Sequence, residues 1–156
     1  RRGIVGEIVL FGGAAMVLAH RARVSTKVVD AVFAPKSEVY EAADLVERAL
    51  GAPKGWLNDA VKGFVSSCPE AHLLYDWPGL KVFVASPAYL LAMKCMSMRL
   101  GRDQTDLSDI RFLMSHLGLR RAEDVLDLVK QYYPQQQILP KTRFAVEELC
   151  QELERP

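Results

Sequence analysis

The chain is short of several things, and each shortage closes a class of function. It has only three cysteines, Cys68, Cys95 and Cys150, far apart and odd in number. No CxxC or Cys/His spacing occurs, so neither a zinc site nor a disulfide framework is supported, and reduced intracellular thiols are expected. The three histidines, His20, His72 and His116, form no spacing that suggests a metal or a triad. GxSxG and Cys/His nucleophile patterns are absent. Surplus charge is also missing: the formal net charge is +1. That gives no general pull toward nucleic acid or acidic lipid, so RNA binding would need a local basic patch. Long apolar runs are missing as well. The stretch Ile8 to Ala19 contains Gly12 and Gly13, is too short to span a bilayer and lacks a cleavage pattern. A cytoplasmic protein without membrane contact is expected. The chain begins at Arg1, which leaves open a helix or strand before it.

What is present is globular. The 156 residues are half hydrophobic and a quarter charged, enough for one ordinary domain with a real core. No internal repeat or low-complexity segment stands out. Ile8 to Phe11 reads as a buried strand, ended by Gly12-Gly13, with a helix over Ala14 to Arg21. Val28 to Phe33 reads as a second strand, broken by Ala34-Pro35-Lys36. Ser37 is a candidate N-cap for a helix to Leu50 that Gly51 stops, with Val39, Ala43, Val46 and Leu50 as its apolar stripe. Lys54 to Val65 is ambiguous, with a short helix over Trp56 to Val61 as one reading. His72 to Tyr75 and Leu80 to Val84 read as strands around the turn-rich Asp76-Trp77-Pro78-Gly79. Ser86-Pro87 opens a helix to about Leu100. Asp103 can cap the next, which buries Leu107, Ile110, Leu113, Met114 and Leu117. Helices over about Ala122 to Tyr133 and Thr142 to Leu153 follow, with Pro134 and Pro140 bracketing their connection. The expectation is an α+β fold: a small mixed sheet flanked by helices, in a single domain with a sheet-containing half (1–85) and a helical half (86–156).

A few residues can carry chemistry. Glycines at a strand-to-helix turn let backbone N–H groups approach a phosphate, and the helix start favours its charge. Gly12-Gly13 also reads simply as a tight turn needing positive φ. Residues two apart on a strand share a face, so Val28 and Asp30 point one way. An Asp pair there can hold a divalent cation; here only Asp30 remains, and a solvated strand-edge aspartate is the plain alternative. Lys94 sits on a helix apolar nearly all round, where a lysine must snorkel out or meet an anion. Asp103 and Asp106 share a helical face with Leu107 and Ile110. Asp106 therefore borders the core, where it could orient Lys94 or help hold a metal. Arg21, Arg23 and Lys27 form a basic loop that could meet phosphates or simply be solvated. Trp56 and Trp77 could stack on bases, with core or turn packing as the default.

Taken in order, Phe-Gly-Gly-Ala-Ala, Ser-Thr-Lys-x-Val-Asp, Trp-Leu-Asn-Asp, Leu-Leu-Ala-Met-Lys and Arg-Asp-x-x-Asp-Leu resemble a DNA polymerase β-like nucleotidyltransferase domain. The set looks most like the AbiEii and MenT-type toxins and the DUF6036 group, over about residues 8 to 117. That resemblance implies a mixed sheet flanked by helices, Mg²⁺, a nucleoside triphosphate and transfer of a nucleotidyl group. In the toxin members the acceptor is RNA, notably the tRNA 3′ end, and a cognate antitoxin is an implied partner. By position, Gly12, Gly13, Ser25, Thr26 and Lys94 would bind the nucleotide. Asp30, Lys94 and Asp106 would be catalytic, with Asp30 and Asp106 on the metal; Asp103 belongs to the same stretch. Val28 departs from the pattern, where the family carries aspartate. Valine binds no cation, and phosphoryl-group transfer depends on metal and positioning. Three readings follow: a non-catalytic binding or regulatory module, a metal held by Asp30 and Asp106 alone, or an altered position.

Overall fold

The computed structural model describes residues 3–22, 24–98 and 104–155. The fold is α+β, with a five-stranded mixed sheet and six α-helices among the described residues. The chain divides into two compact units, residues 1–63 with 71–85, and residues 64–70 with 86–156.

In the first unit the strands lie in the order β3-β2-β1-β5-β4. β1 (Gly6–Leu10) is central, as its apolar run requires. It pairs antiparallel with β2 (Val29–Ala34) and parallel with β5 (Leu80–Ala85). β3 (Leu57–Asn58) joins β2 in parallel, and β4 (Ala71–Trp77) closes the other edge against β5. Pro78-Gly79 makes the β4–β5 turn; Gly79 has φ 88°, open to glycine at little cost. Leu10 lies opposite Ala31 and Val84, and Ile8 opposite Phe33 and Val82. This face is covered by α2 (Lys36–Leu50): Val39 approaches Gly6, and the Phe33 and Tyr40 rings meet edge to face at 4.9 Å.

Local chemistry moved several boundaries. The first helix, α1, is short and spans Gly12–Leu18 instead of beginning at Ala14. β2 starts at Val29, so Val28 precedes the strand. α2 begins at Lys36 behind an extended Pro35, which leaves Ser37 inside the first turn with no part as cap. Gly51 does end α2, in the left-handed conformation. Only Val39 and Ala43 of its stripe are buried; Val46 and Leu50 are exposed. The contacts of Val39 with Gly6 and of Tyr40 with Phe33 come from its first half. Trp56 to Val61 is not a helix. Asn58 Oδ1 accepts from the Ala60 amide at 3.1 Å, an Asx turn that ends β3 and starts a 3₁₀ turn over Ala60–Phe64.

The second unit is built around α3 (Pro87–Ser97), in which Tyr89 to Cys95 are all buried. Ser86 caps it, accepting from the Tyr89 amide at 3.2 Å, and Pro87 opens it. α4 (Gln104–Leu117) contributes Ile110, Leu113 and Met114 to the core, and α5 (Ala122–Tyr132) contributes Val125, Leu126 and Val129. α6 (Pro140–Glu154) starts two residues before the expected Thr142, because Pro140 suits the first helical turn. Segment 64–70 is tied to these helices by tyrosines. The Tyr89 hydroxyl accepts from the Ser66 amide at 2.8 Å, Tyr132 donates to Glu70 at 3.0 Å, and Tyr133 donates to the Phe64 carbonyl. No helix among the described residues is long and apolar enough to cross a membrane.

Candidate functional site

The sheet unit brings Gly12 and Asp30 together. Leu10 pairs with Ala31, and the Phe11 amide donates to the Asp30 carbonyl at 3.0 Å, so the turn after β1 lies beside the start of β2. Gly12 has φ 53°, and a Cβ placed on it would lie 3.0 Å from Asp30 Oδ2. The backbone angle favours glycine, and a side chain there would be tight against the carboxylate. The amides of the first helical turn begin at the same place and lack intrahelical acceptors. Among the described residues no side chain pairs with the Asp30 carboxylate.

The other expected residues of this unit lie around that corner in different states. Val28 is 41% exposed, outside the strand, so the shared-face argument that paired it with Asp30 does not hold as drawn. Thr26 donates its hydroxyl to the Val28 carbonyl at 3.0 Å, which shapes the approach to β2. Ser25, Arg21 and Lys27 are exposed. Arg23 lies outside the described residues. Across the β2–β3 pair, Asn58 is the register partner of Asp30. Trp56 donates to the Ala43 carbonyl at 3.3 Å, a packing role, whereas Trp77 stacks on Tyr75 at 4.7 Å on the exposed edge strand.

Next to Asn58 is a cluster that the sequence reading passed over. Asp59 accepts from Lys36, from the Tyr40 hydroxyl at 3.0 Å and from Lys62 at 3.3 Å. These donors, Lys36 first, hold its carboxyl down to about 2, and Asp59 in turn raises the Lys36 ammonium. The cluster fastens the start of α2 to the 3₁₀ turn. Spacing alone gave no sign of it, because Lys36 and Asp59 are 23 residues apart.

In the helical unit Lys94 and Asp106 do meet. The ammonium lies 3.1 Å from Asp106 Oδ1 and 2.8 Å from Asp109 Oδ2. The lysine side chain is 8% exposed, Asp109 only 3%, and Asp106 49%. Lys94 therefore does not snorkel; it meets anions of its own chain. Asp109 was missed in the sequence, although it continues the three-residue spacing of Asp103 and Asp106 and so shares their helix face. Asp103, with Arg102, lies outside the described residues. Cys95 beside Lys94 is a buried thiol pushed up to about 12 by burial, and it is inert as a nucleophile near neutral pH.

A magnesium ion would find one carboxylate at the Gly12–Asp30 corner. Asp30 offers a hard oxygen against bare backbone, and Mg²⁺ commonly takes one or two protein carboxylates with phosphate and water completing its shell. A part for Asp106 on a metal would require it to leave Lys94. No group of three or more His, Cys, Asp or Glu side chains among the described residues could hold a metal ion. Asp30 belongs to the sheet unit, and Lys94 and Asp106 to the helical one. The chain matches no protein-family model, no curated protein and no solved structure.

Proposed function

We propose that the protein is a nucleotidyltransferase-fold member of the toxin–antitoxin kind, acting in the cytoplasm on a nucleoside triphosphate with Mg²⁺. The observation that carries this reading is the contact of Gly12 with Asp30. A glycine with positive φ opens a helix directly against a carboxylate with which no described side chain pairs. Gly12 and Gly13 would let backbone N–H groups reach the triphosphate, with Ser25 and Thr26 near its approach. Asp30 would hold the magnesium ion, which when bound neutralises phosphate charge during transfer. On the resemblance, Lys94 would contact a phosphate, with Asp106 beside it as its ion-pair partner. An acceptor hydroxyl, on the proposed reading that of a tRNA 3′ end, bonds to the α-phosphorus as the bond to pyrophosphate breaks. Labelled nucleoside triphosphates with Mg²⁺ and total RNA test this, for the parent chain and for Val28→Asp. Label on RNA that rises with Val28→Asp supports the reading. No label and no nucleotide binding by either chain sinks it.

A second reading has its own support. Val28 stands exposed off the strand, and Lys94 is already held by two carboxylates. Both fit a non-catalytic module that holds a nucleotide or docks an antitoxin-like partner. Calorimetry with each nucleoside triphosphate, with and without Mg²⁺, separates the two. Metal-independent binding favours the module; metal-dependent binding lost in Asp30→Ala counts against it.

A further inference from the structure

The two edges of the sheet differ. β3 is two residues long, while β4 spans seven and, among the described residues, pairs only with β5. A long open edge offers its backbone N–H and C=O groups to another strand, and proteins commonly blunt it with lysine or proline. β4, Ala-His-Leu-Leu-Tyr-Asp-Trp, has neither. Every residue of it except Leu74 is exposed; Leu73 is 48% and Trp77 50% accessible, and Trp77 stacks on Tyr75.

One irregularity makes this edge complementary to itself. Ala71, His72 and Leu73 pair with Ala85, Val84 and Phe83, and Tyr75, Asp76 and Trp77 pair with Val82, Lys81 and Leu80. Leu74 is an extra residue with no register partner on β5, a bulge in the edge strand. Val82 and Val84 share a face of β5, so His72 and Tyr75 share it too, on the side that α2 covers. Ala71 and Asp76, opposite Ala85 and Lys81, share the other face. In a regular strand, residues three or five apart face opposite ways. The bulge reverses that here. On either side of the central Leu73-Leu74, the faces from Ala71 to Asp76 therefore run the same in both directions.

We propose that β4 docks on β4 of a second copy of this chain, antiparallel across a two-fold axis. Ala71 lies opposite Asp76 of the second copy, and His72 opposite its Tyr75. Directly opposite residues in an antiparallel pair share a face, and this register satisfies that for both pairs. A slip of one residue sets unlike faces against each other. The charges agree with it. Asp76, the one carboxylate of the strand, meets an alanine, and the two Asp76 side chains stand at opposite ends of the pairing. Parallel pairing in register would instead set Asp76 beside Asp76, a destabilising contact. On the α2 face, His72 of each copy lies opposite Tyr75 and diagonal to Trp77 of the other. Leu73 and Leu74 of both copies meet at the centre. The two five-stranded sheets become one, in a closed pair that leaves neither β4 edge open. This pairing goes beyond the function proposed above and does not depend on it.

Sedimentation of the full chain over a concentration series tests it. The mass is expected to double with rising concentration and to stop at two chains. Leu73→Lys sets two like charges side by side at the centre and is expected to stay at one chain. Its circular dichroism spectrum and thermal unfolding should match the parent, because Leu73 is exposed. Disulfide trapping reads the register, in a Cys68→Ser background because Cys68 is exposed. His72→Cys and Tyr75→Cys are expected to cross-link when mixed and neither to cross-link alone, since only directly opposite positions bring the two Cβ atoms within reach. Trapping decides the register whatever Leu73→Lys does to folding. A parent that stays at one chain at every concentration overturns the pairing. So do growth beyond two chains, association untouched by Leu73→Lys, and cross-linking of His72→Cys with itself.

Discussion

Asp30 and Asp109 are both aspartates withdrawn at least in part from solvent, and the two units treat them in opposite ways. In the sheet unit, Asp30 is half-buried beside a glycine, with no described side chain paired to it. In the helical unit, Asp109 is shut inside the core and held by Lys94. Burial explains the contrast. A carboxylate with one side on solvent keeps enough hydration to stand without a cation, while one inside a helical core must be neutralised where it lies. Asp30, with no partner among the described side chains, is therefore the one open to a ligand, and Asp109 is engaged by a lysine.

The sharpest way to break this comparison is to remove the cation of the second site. Lys94→Ala removes an ion-pair partner of the buried Asp109 and should cost about 3–5 kcal/mol of stability, read by chemical denaturation. In contrast, Lys94→Met with Asp109→Leu should stay close to the parent; equal loss in both variants would mean that packing, and not charge, dominates there. At the first site the effect should be smaller and of another kind. Gly12→Ala meets a positive φ and a Cβ at 3.0 Å from Asp30, and should destabilise by about 1–3 kcal/mol. It should also abolish nucleotide binding, whereas a turn-only glycine would lose stability alone.

Smaller still is Ser86→Ala, which removes the cap of α3 and should cost about 1 kcal/mol in thermal unfolding. The last effect is one of pH. Asp59 is held down to about 2 in the fold, so its contribution is present above the ordinary carboxylate pKa of about 3.9 and is lost as pH falls through about 2. Asp59→Asn should flatten the acid side of the stability profile between those values. The raised Lys36 is stabilising too, with the opposite pH dependence: its contribution is present below the ordinary lysine range and fades as pH rises through its folded value.

Much of the local structure was legible because it depends on neighbours in the chain. The apolar run of β1, the Ser86-Pro87 helix start and the Gly51 stop each act within a few residues. The misreadings are partly local and partly set by distant chain. Ser37 looked like a cap, but Pro35 set the start of α2. Val28 looked like a strand residue paired in orientation with Asp30, but β2 begins one residue later. Leu50 looked like core but is exposed, while Val39 and Tyr40 in the other half of α2 meet the sheet. At the candidate site, Gly12 and Asp30 were visible as residue types. Asp109 was passed over because a charged residue on an amphipathic helix reads as solvated unless its neighbour across the core is known.

The sequence by itself determined the alternation of elements, the α+β class, and the presence of a glycine turn before a carboxylate strand. Those follow from periodicity, propensity and caps, which are local in range. Only the tertiary structure decided what the charges do. Strand pairing laid Asp30 against Gly12, and the packing of α3 on α4 enclosed Lys94 with Asp109. The reason is physical: the free energy of a charge is set by its solvent exposure and its partners, and both come from residues far away in the chain.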